Sequence, residues 1–145
     1  MDISYLFKNL ISTITGKVNE AKDYTDTTFN ALADYVVENG TANGWQYRKW
    51  NSGVAECWQV TNITSESFTN VYGNGWYKAY SDWLLPAGLF NDIPSVTGTL
   101  WRNGGLCFIM LHSLEKDKIG FYVASLKSEG AANTRFMFHA KGRWK

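Results

Sequence analysis

Between Gly40 and Gly44 this 145-residue chain changes its period, and that break limits what it can fold into. Before the break, apolar residues recur every three or four positions; after it, they come in short alternating runs punctuated by Gly, Asn, Asp and Pro. The first pattern is that of a helix, the second that of strands. With Ile11 as an a position, the heptad a sites are Ser4, Ile11, Val18, Thr25 and Leu32, and the d sites are Phe7, Ile14, Ala21, Thr28 and Tyr35. Seven of these ten are apolar and two more are Thr, which predicts a coiled-coil seam over residues 4–35. Gly16 falls at f, outside the seam, and Asn39-Gly40 reads as the helix C-terminus. Such a helix extends about 48 Å, longer than a small β head is wide, so it wants partners rather than its own domain to pack on. Isoleucine at the neighbouring sites Ile11 and Ile14 leans toward three or four strands, and a homotrimer is expected. The competing reading is a single amphipathic helix laid on its own β domain.

Beyond the break, all seven Trp appear, none before residue 44. Runs rich in Trp, Tyr and Val flank Asn51-Ser52-Gly53, which predicts a hairpin over Gly44–Val60 with Gly53 in the left-handed position. Closing that loop pairs Arg48 with Glu56 as a cross-strand ion pair, and Tyr47 with Cys57. Further strands are expected at Glu66–Val71, Trp76–Ser81, Trp101–Arg102, Leu106–Ser113, Ile119–Leu126 and Arg135–Lys141, with turns at Gly73–Gly75, Asn103–Gly105, Glu115–Lys118 and Ser128–Asn133. The fold expected is mainly β with an N-terminal helix: an attachment segment and coiled-coil stalk over 1–40, and an antiparallel β-sandwich, jelly-roll-like head over 41–145.

Charge argues against nucleic acid as a partner. Residues 1–40 carry three Lys against six acids, the remainder eleven Lys or Arg against seven acids, and the basic residues are scattered. The N-terminus lacks a basic leader, and the longest apolar run, Leu106–Leu111, is too short to span a bilayer, so no secretion signal or membrane insertion is expected. Cys57 and Cys107 read as two free thiols in strands. Neither metal nor cofactor is expected: no C-x-x-C, H-E-x-x-H or phosphate loop occurs, and Cys107 and His112 point to opposite faces of one strand. No catalytic residue is expected either. Glycoside hydrolysis needs two facing carboxyl groups; of the head's acids Asp82 and Asp92 flank a Leu/Pro/Gly connection that could let them meet, which the sequence does not show.

What remains is a binding surface. In Gly75–Trp83 the rings of Trp76, Tyr77, Tyr80 and Trp83 stand beside Lys78 and Asp82, a composition that stacks on sugar rings and bonds their hydroxyls. These four aromatics are the candidate glycan contacts. Strand alternation puts Trp76, Lys78 and Tyr80 on one face, Tyr77 and Ser81 on the other.

The segment Tyr47–Trp58, YRKWNSGVAECW, resembles the signature of C-terminal domains in tail-associated minor structural proteins of phages and prophages of Gram-positive bacteria. Leu85–Phe90, Pro94–Thr99 and Phe138–Trp144 look like the same family's middle and end, and Val18–Ala21 with Tyr24–Asp26 is of the kind that precedes such domains. The resemblance implies a virion fibre, trimeric, assembled in the host cytoplasm, whose β head faces outward toward host cell-surface polysaccharide. Tyr5, Leu6, Phe7, Leu10 and Ile11 would then attach it to other virion proteins. Alternatives to adhesion are a purely structural decoration or capping protein, and a cell-wall polysaccharide depolymerase head.

Overall fold

The computed structural model describes residues 3–32 and 34–145, and for 29–32 the backbone alone; the seam position Leu32 thus lies outside the described side chains. The chain divides into two units, Met1–Tyr35 and Val36–Lys145.

The first unit is one helix, α1 (Ile3–Leu32). Its 30 residues rise about 45 Å. Phe7, Ile11, Ile14 and Val18 keep 62, 58, 54 and 60 % of their surface exposed, and Ala21, Thr25 and Thr28 on the same seam are exposed too. Lys17 Nζ pairs with Glu20 at 2.8 Å on the outer side.

The helix does not reach Tyr35 or Asn39-Gly40, which corrects the expected boundary at residue 40. Strand β1 (Val36–Ala42) begins the second unit instead, antiparallel to β2 (Trp45–Trp50). Its reason is tertiary. Gly40 lies opposite Tyr47, where a Cβ would come within 2.8 Å of the phenol oxygen. With the ring laid over Gly40, the Tyr47 hydroxyl donates to Glu38 Oε1 at 3.0 Å, and Lys49 Nζ donates to Glu38 Oε2 at 2.9 Å. Asn39-Gly40 looks like a helix stop because a bare residue is needed there, but the need is for ring clearance.

The other strands are β3 (Val54–Val60), β4 (Thr64–Phe68), β5 (Asn70–Tyr72), β6 (Gly75–Leu84), β7 (Ser95–Arg102), β8 (Cys107–Leu114), β9 (Lys118–Ser125) and β10 (Glu129–Arg143). They form two antiparallel sheets: β1-β2-β3-β10-β4 with β7 also on β10, and β5-β6-β9-β8. Strand β10 organises the larger sheet. On one edge its second half pairs with β3 (Met137–Arg143) and its first half with β4 (Glu129–Thr134); on the other edge Thr134–Lys141 pairs with β7. The β2–β3 hairpin has the register read from its sequence, with Tyr47 opposite Cys57 and Arg48 opposite Glu56, and Gly53 at φ 88° closing the loop.

Ser128–Asn133, expected as a turn, is mostly the start of β10, paired to β4. In β7 Gly98 lies opposite Phe138, whose ring is 2.5 Å from where a Cβ would stand. The core between the sheets is aromatic. Phe121 stacks on Tyr80 at 4.7 Å between centroids and meets Phe138 at 4.8 Å, Trp83 at 5.4 Å and Phe136 at 5.6 Å. Buried Leu85, Leu89 and Phe90, from the connection between β6 and β7, close one end, and buried Trp45 donates its indole N–H to Leu84 O at 2.8 Å.

Candidate functional site

The four candidate aromatics of β6 do not share one surface. Trp76 stands opposite Ser125, Tyr77 opposite Ala124 and Tyr80 opposite Phe121 on β9. Strict alternation would send Trp83 outward with Tyr77. A bulge between Tyr80 and Trp83, with Asp82 at φ 55°, reverses the parity and turns Trp83 into the core. There its indole donates to Gln59 Oε1 at 2.7 Å and its ring lies 6.0 Å from Phe136 and from Phe138. Tyr80 is inward as well. Tyr80 and Trp83 therefore hold the sheets together and are withdrawn as ligand contacts; Trp76 and Tyr77 keep a part-open position at one mouth of the sheet.

A polar lock fixes the strand that carries them. Glu66, on β4 of the larger sheet, accepts from Lys78 Nζ at 2.5 Å, Tyr80 Oη at 2.8 Å and Thr64 Oγ1 at 3.0 Å. Burial works to raise the Glu66 carboxyl's pKa, but the hydrogen bonds from Lys78, Tyr80 and Thr64 and the Lys78 charge outweigh it and hold it below the ordinary range. Burial, then the Glu66 carboxylate, push the Tyr80 phenol far up, so it stays a donor. Arg102 adds a second tie, donating to Glu66 O at 2.9 Å and Thr134 Oγ1 at 2.8 Å and to Gly130 O, while lying over the Phe68 ring at 4.5 Å.

On the outer face of the smaller sheet, alternation lines up residues that sequence reading passed over. Tyr77 meets Tyr122 edge-on, 5.5 Å apart at 88°, and Tyr122 lies 4.3 Å from the His112 ring. Phe108 and Met110 beside them are 47 and 54 % exposed, and Tyr72, on the β5–β6 hairpin, is 84 % exposed. With Trp76 they line a groove of about 650 Å³. The signal was the strict alternation of Phe108, Met110 and His112 against Tyr122 and Ala124, which reads as a strand but names no face until the sheet is assembled.

The larger sheet also has a groove, about 450 Å³, lined by Asn39, Thr41, Gln46, Arg48 and Trp58 among others. Its aromatic faces are covered. The Arg48 guanidinium lies 4.7 Å from the Trp50 ring centre and 5.4 Å from that of Trp58, and its Nε donates to Glu56 Oε1 at 2.5 Å. Glu56 Oε2 also meets His139 Nε2 at 3.2 Å. Burial opposes ionisation of Glu56, yet the bonds to Arg48 and His139 hold its pKa below the usual value. The Arg48–Glu56 pair thus ties β2 to β3 and holds the guanidinium over the Trp50 and Trp58 rings.

For other chemistry the arrangement offers little. Among the described residues no group of three or more His, Cys, Asp and Glu comes together as a metal site, and no helix is long and apolar enough to cross a membrane. Cys57 and Cys107 are free thiols; burial pushes Cys57 up to about 12, which leaves it protonated and inert. Asp82 is held by Lys118 Nζ at 2.8 Å, and Asp92 Oδ1 accepts from the backbone N–H of Ile93 at 2.7 Å.

No family model matches this chain, and no curated protein matches it in sequence. Among solved structures it is similar to an N-truncated R1-type pyocin tail fiber, at 15 % identity, over 81 % of this chain and 94 % of that one, with a TM-score of 0.53. A C-terminal piece of the P. aeruginosa R1 pyocin fiber also aligns, at 15 % identity, over 72 % of this chain and 27 % of that one, with a TM-score of 0.46. The first likeness takes in nearly all of that chain and is one of fold alone.

Proposed function

We propose that this chain is a homotrimeric tail-fibre protein of a phage-like particle, a non-catalytic adhesin whose helix is the stalk and whose head touches host cell-surface polysaccharide. One observation carries the reading. Helix α1 holds four large apolar residues of one heptad seam, Phe7, Ile11, Ile14 and Val18, each more than half exposed in the single chain, and the likeness in fold to a tail fiber over 81 % of the chain supports the same reading. An apolar seam of that length in water is stabilised by copies of itself. The side chains of Tyr5, Leu6 and Leu10, off the seam, are exposed too, and we assign this N-terminal end to attachment on other virion proteins. On the resemblance of Tyr47–Trp58 the host is Gram-positive, and Trp76 and Tyr77 remain the contacts proposed for its glycans.

Light scattering tests the stalk. Three copies of 16.4 kDa make a particle of about 49 kDa. Ile11→Asp with Ile14→Asp should reduce it to the single-chain mass while leaving the head's near-ultraviolet circular dichroism unchanged. A wild-type mass of one chain would overturn the proposal.

A further inference from the structure

We infer that the groove on the outer face of β5-β6-β9-β8 is a site for an uncharged saccharide, with Tyr72, Tyr77 and Tyr122 as its principal contacts; the inference rests on the adhesion reading above. Three observations carry it. First, none of the residues lining the groove is Asp, Glu, Lys, Arg or His. A sugar bearing phosphate, uronate or sialate would lose water there and gain no counter-charge, which is costly. An uncharged ring loses only hydroxyl hydration, which phenols can replace.

Second, the groove offers ring surface and unused hydroxyls together. Tyr77 and Tyr122 pack edge to face at 88° and both line the groove, whose volume of about 650 Å³ is room for a small oligosaccharide. The hydroxyls of Tyr72, Tyr77 and Tyr122 make no hydrogen bond to any described residue, unlike that of Tyr80, which is spent on Glu66. A second copy of this chain laid on the same face would bury three phenols and have to satisfy each one. A sugar supplies hydroxyls on its rim while its C–H face takes the rings.

Third, the groove lies at the far end of the head. Val36, the head's first residue, pairs with Trp50 beside the Gly53 loop, which bonds Trp144 next to the Arg143 end of β10. The groove borders Ser125, whose hydroxyl lies 3.3 Å from Glu129 at the opposite end of β10. That strand spans up to about 45 Å. Within the head, Val36 and the bare aromatic surface therefore stand toward opposite ends of β10.

The test uses the full chain on a glycan array holding neutral hexose, N-acetylhexosamine and deoxyhexose oligomers beside sialylated, uronic-acid and glycerol-phosphate polymers. Binding is expected on neutral members alone, changing less than about twofold between about 0.15 and about 0.5 M NaCl. Tyr122→Ala and Tyr77→Ala should each weaken it about tenfold. Tyr72→Ala, at a side chain too exposed to unfold the head, should weaken it severalfold. Trp101→Ala, on the outer face of the larger sheet, should change nothing. Binding confined to acidic members, or unmoved by all three tyrosine variants, overturns this inference and leaves adhesion standing. A fall in oligomer mass with Tyr122→Ala assigns the face to a second copy and overturns it too. No binding to any member removes the adhesion reading itself.

Discussion

Phe121→Ala against Phe108→Ala measures how far the two faces of one sheet differ. The residues lie on paired strands β9 and β8, yet Phe121 is fully buried and Phe108 is 47 % exposed. Phe121 loses four ring neighbours on truncation: Tyr80, Trp83, Phe136 and Phe138. A buried Phe→Ala of this kind costs about 3–5 kcal/mol, transfer and cavity together, out of a domain stability of about 5–15. Phe108→Ala creates no cavity and should cost under about 1 kcal/mol. Urea unfolding at fixed protein concentration, followed by tryptophan fluorescence, reads both, because Trp83 lies against Phe121 and Trp45 against Phe138. At a urea slope of about 2 kcal/mol/M, a 4 kcal/mol loss lowers the midpoint by about 2 M. Where Phe121→Ala does not fold, Phe121→Leu serves, at about 1–1.5 kcal/mol. A Phe121→Ala loss below about 1.5 kcal/mol, or equal losses at the two sites, would refute the assignment of faces.

Two further outcomes test the packing. Gly98→Ala drives a Cβ into the Phe138 ring and should cost about 1–3 kcal/mol by overpacking, whereas Gly16→Ala, in open space within α1, should add up to about 1 kcal/mol of helix stability; a Gly98→Ala urea midpoint equal to the wild type's would contradict the β7–β10 contact. Glu66, with its folded-state pKa depressed, stabilises the head fully above the unfolded value near 4.5 and loses that contribution as pH falls through the folded value. Glu66→Gln should therefore cost about 1–2 kcal/mol at neutral pH and flatten the acid limb of a stability–pH profile; an unchanged acid limb would remove Glu66 from the lock.

Much of the architecture was legible along the chain because it is local. The heptad seam declares a helix and an unsatisfied apolar stripe. Asn51-Ser52-Gly53 sets a hairpin whose register follows from counting outward, so Arg48 opposite Glu56 is a matter of chain geometry. Strands β8 and β9 announce themselves by alternation. Where the reading failed, a distant side chain had decided. Gly40 looks like a helix stop and is a clearance for the ring of Tyr47. Trp83 looks like a surface partner of Tyr77 until a bulge at Asp82 reverses its face, a single inserted residue that no periodicity within β6 reveals. Tyr122, Phe108 and Met110 were invisible as a site because which face of a sheet is covered depends on what packs against it. A helix with a seam, a β head and the pairing of its first hairpin follow from residue order, since they rest on contacts between near neighbours. Which aromatics became core and which stayed bare depended on the assembled fold, because burial is a property of two sheets meeting and not of either strand alone.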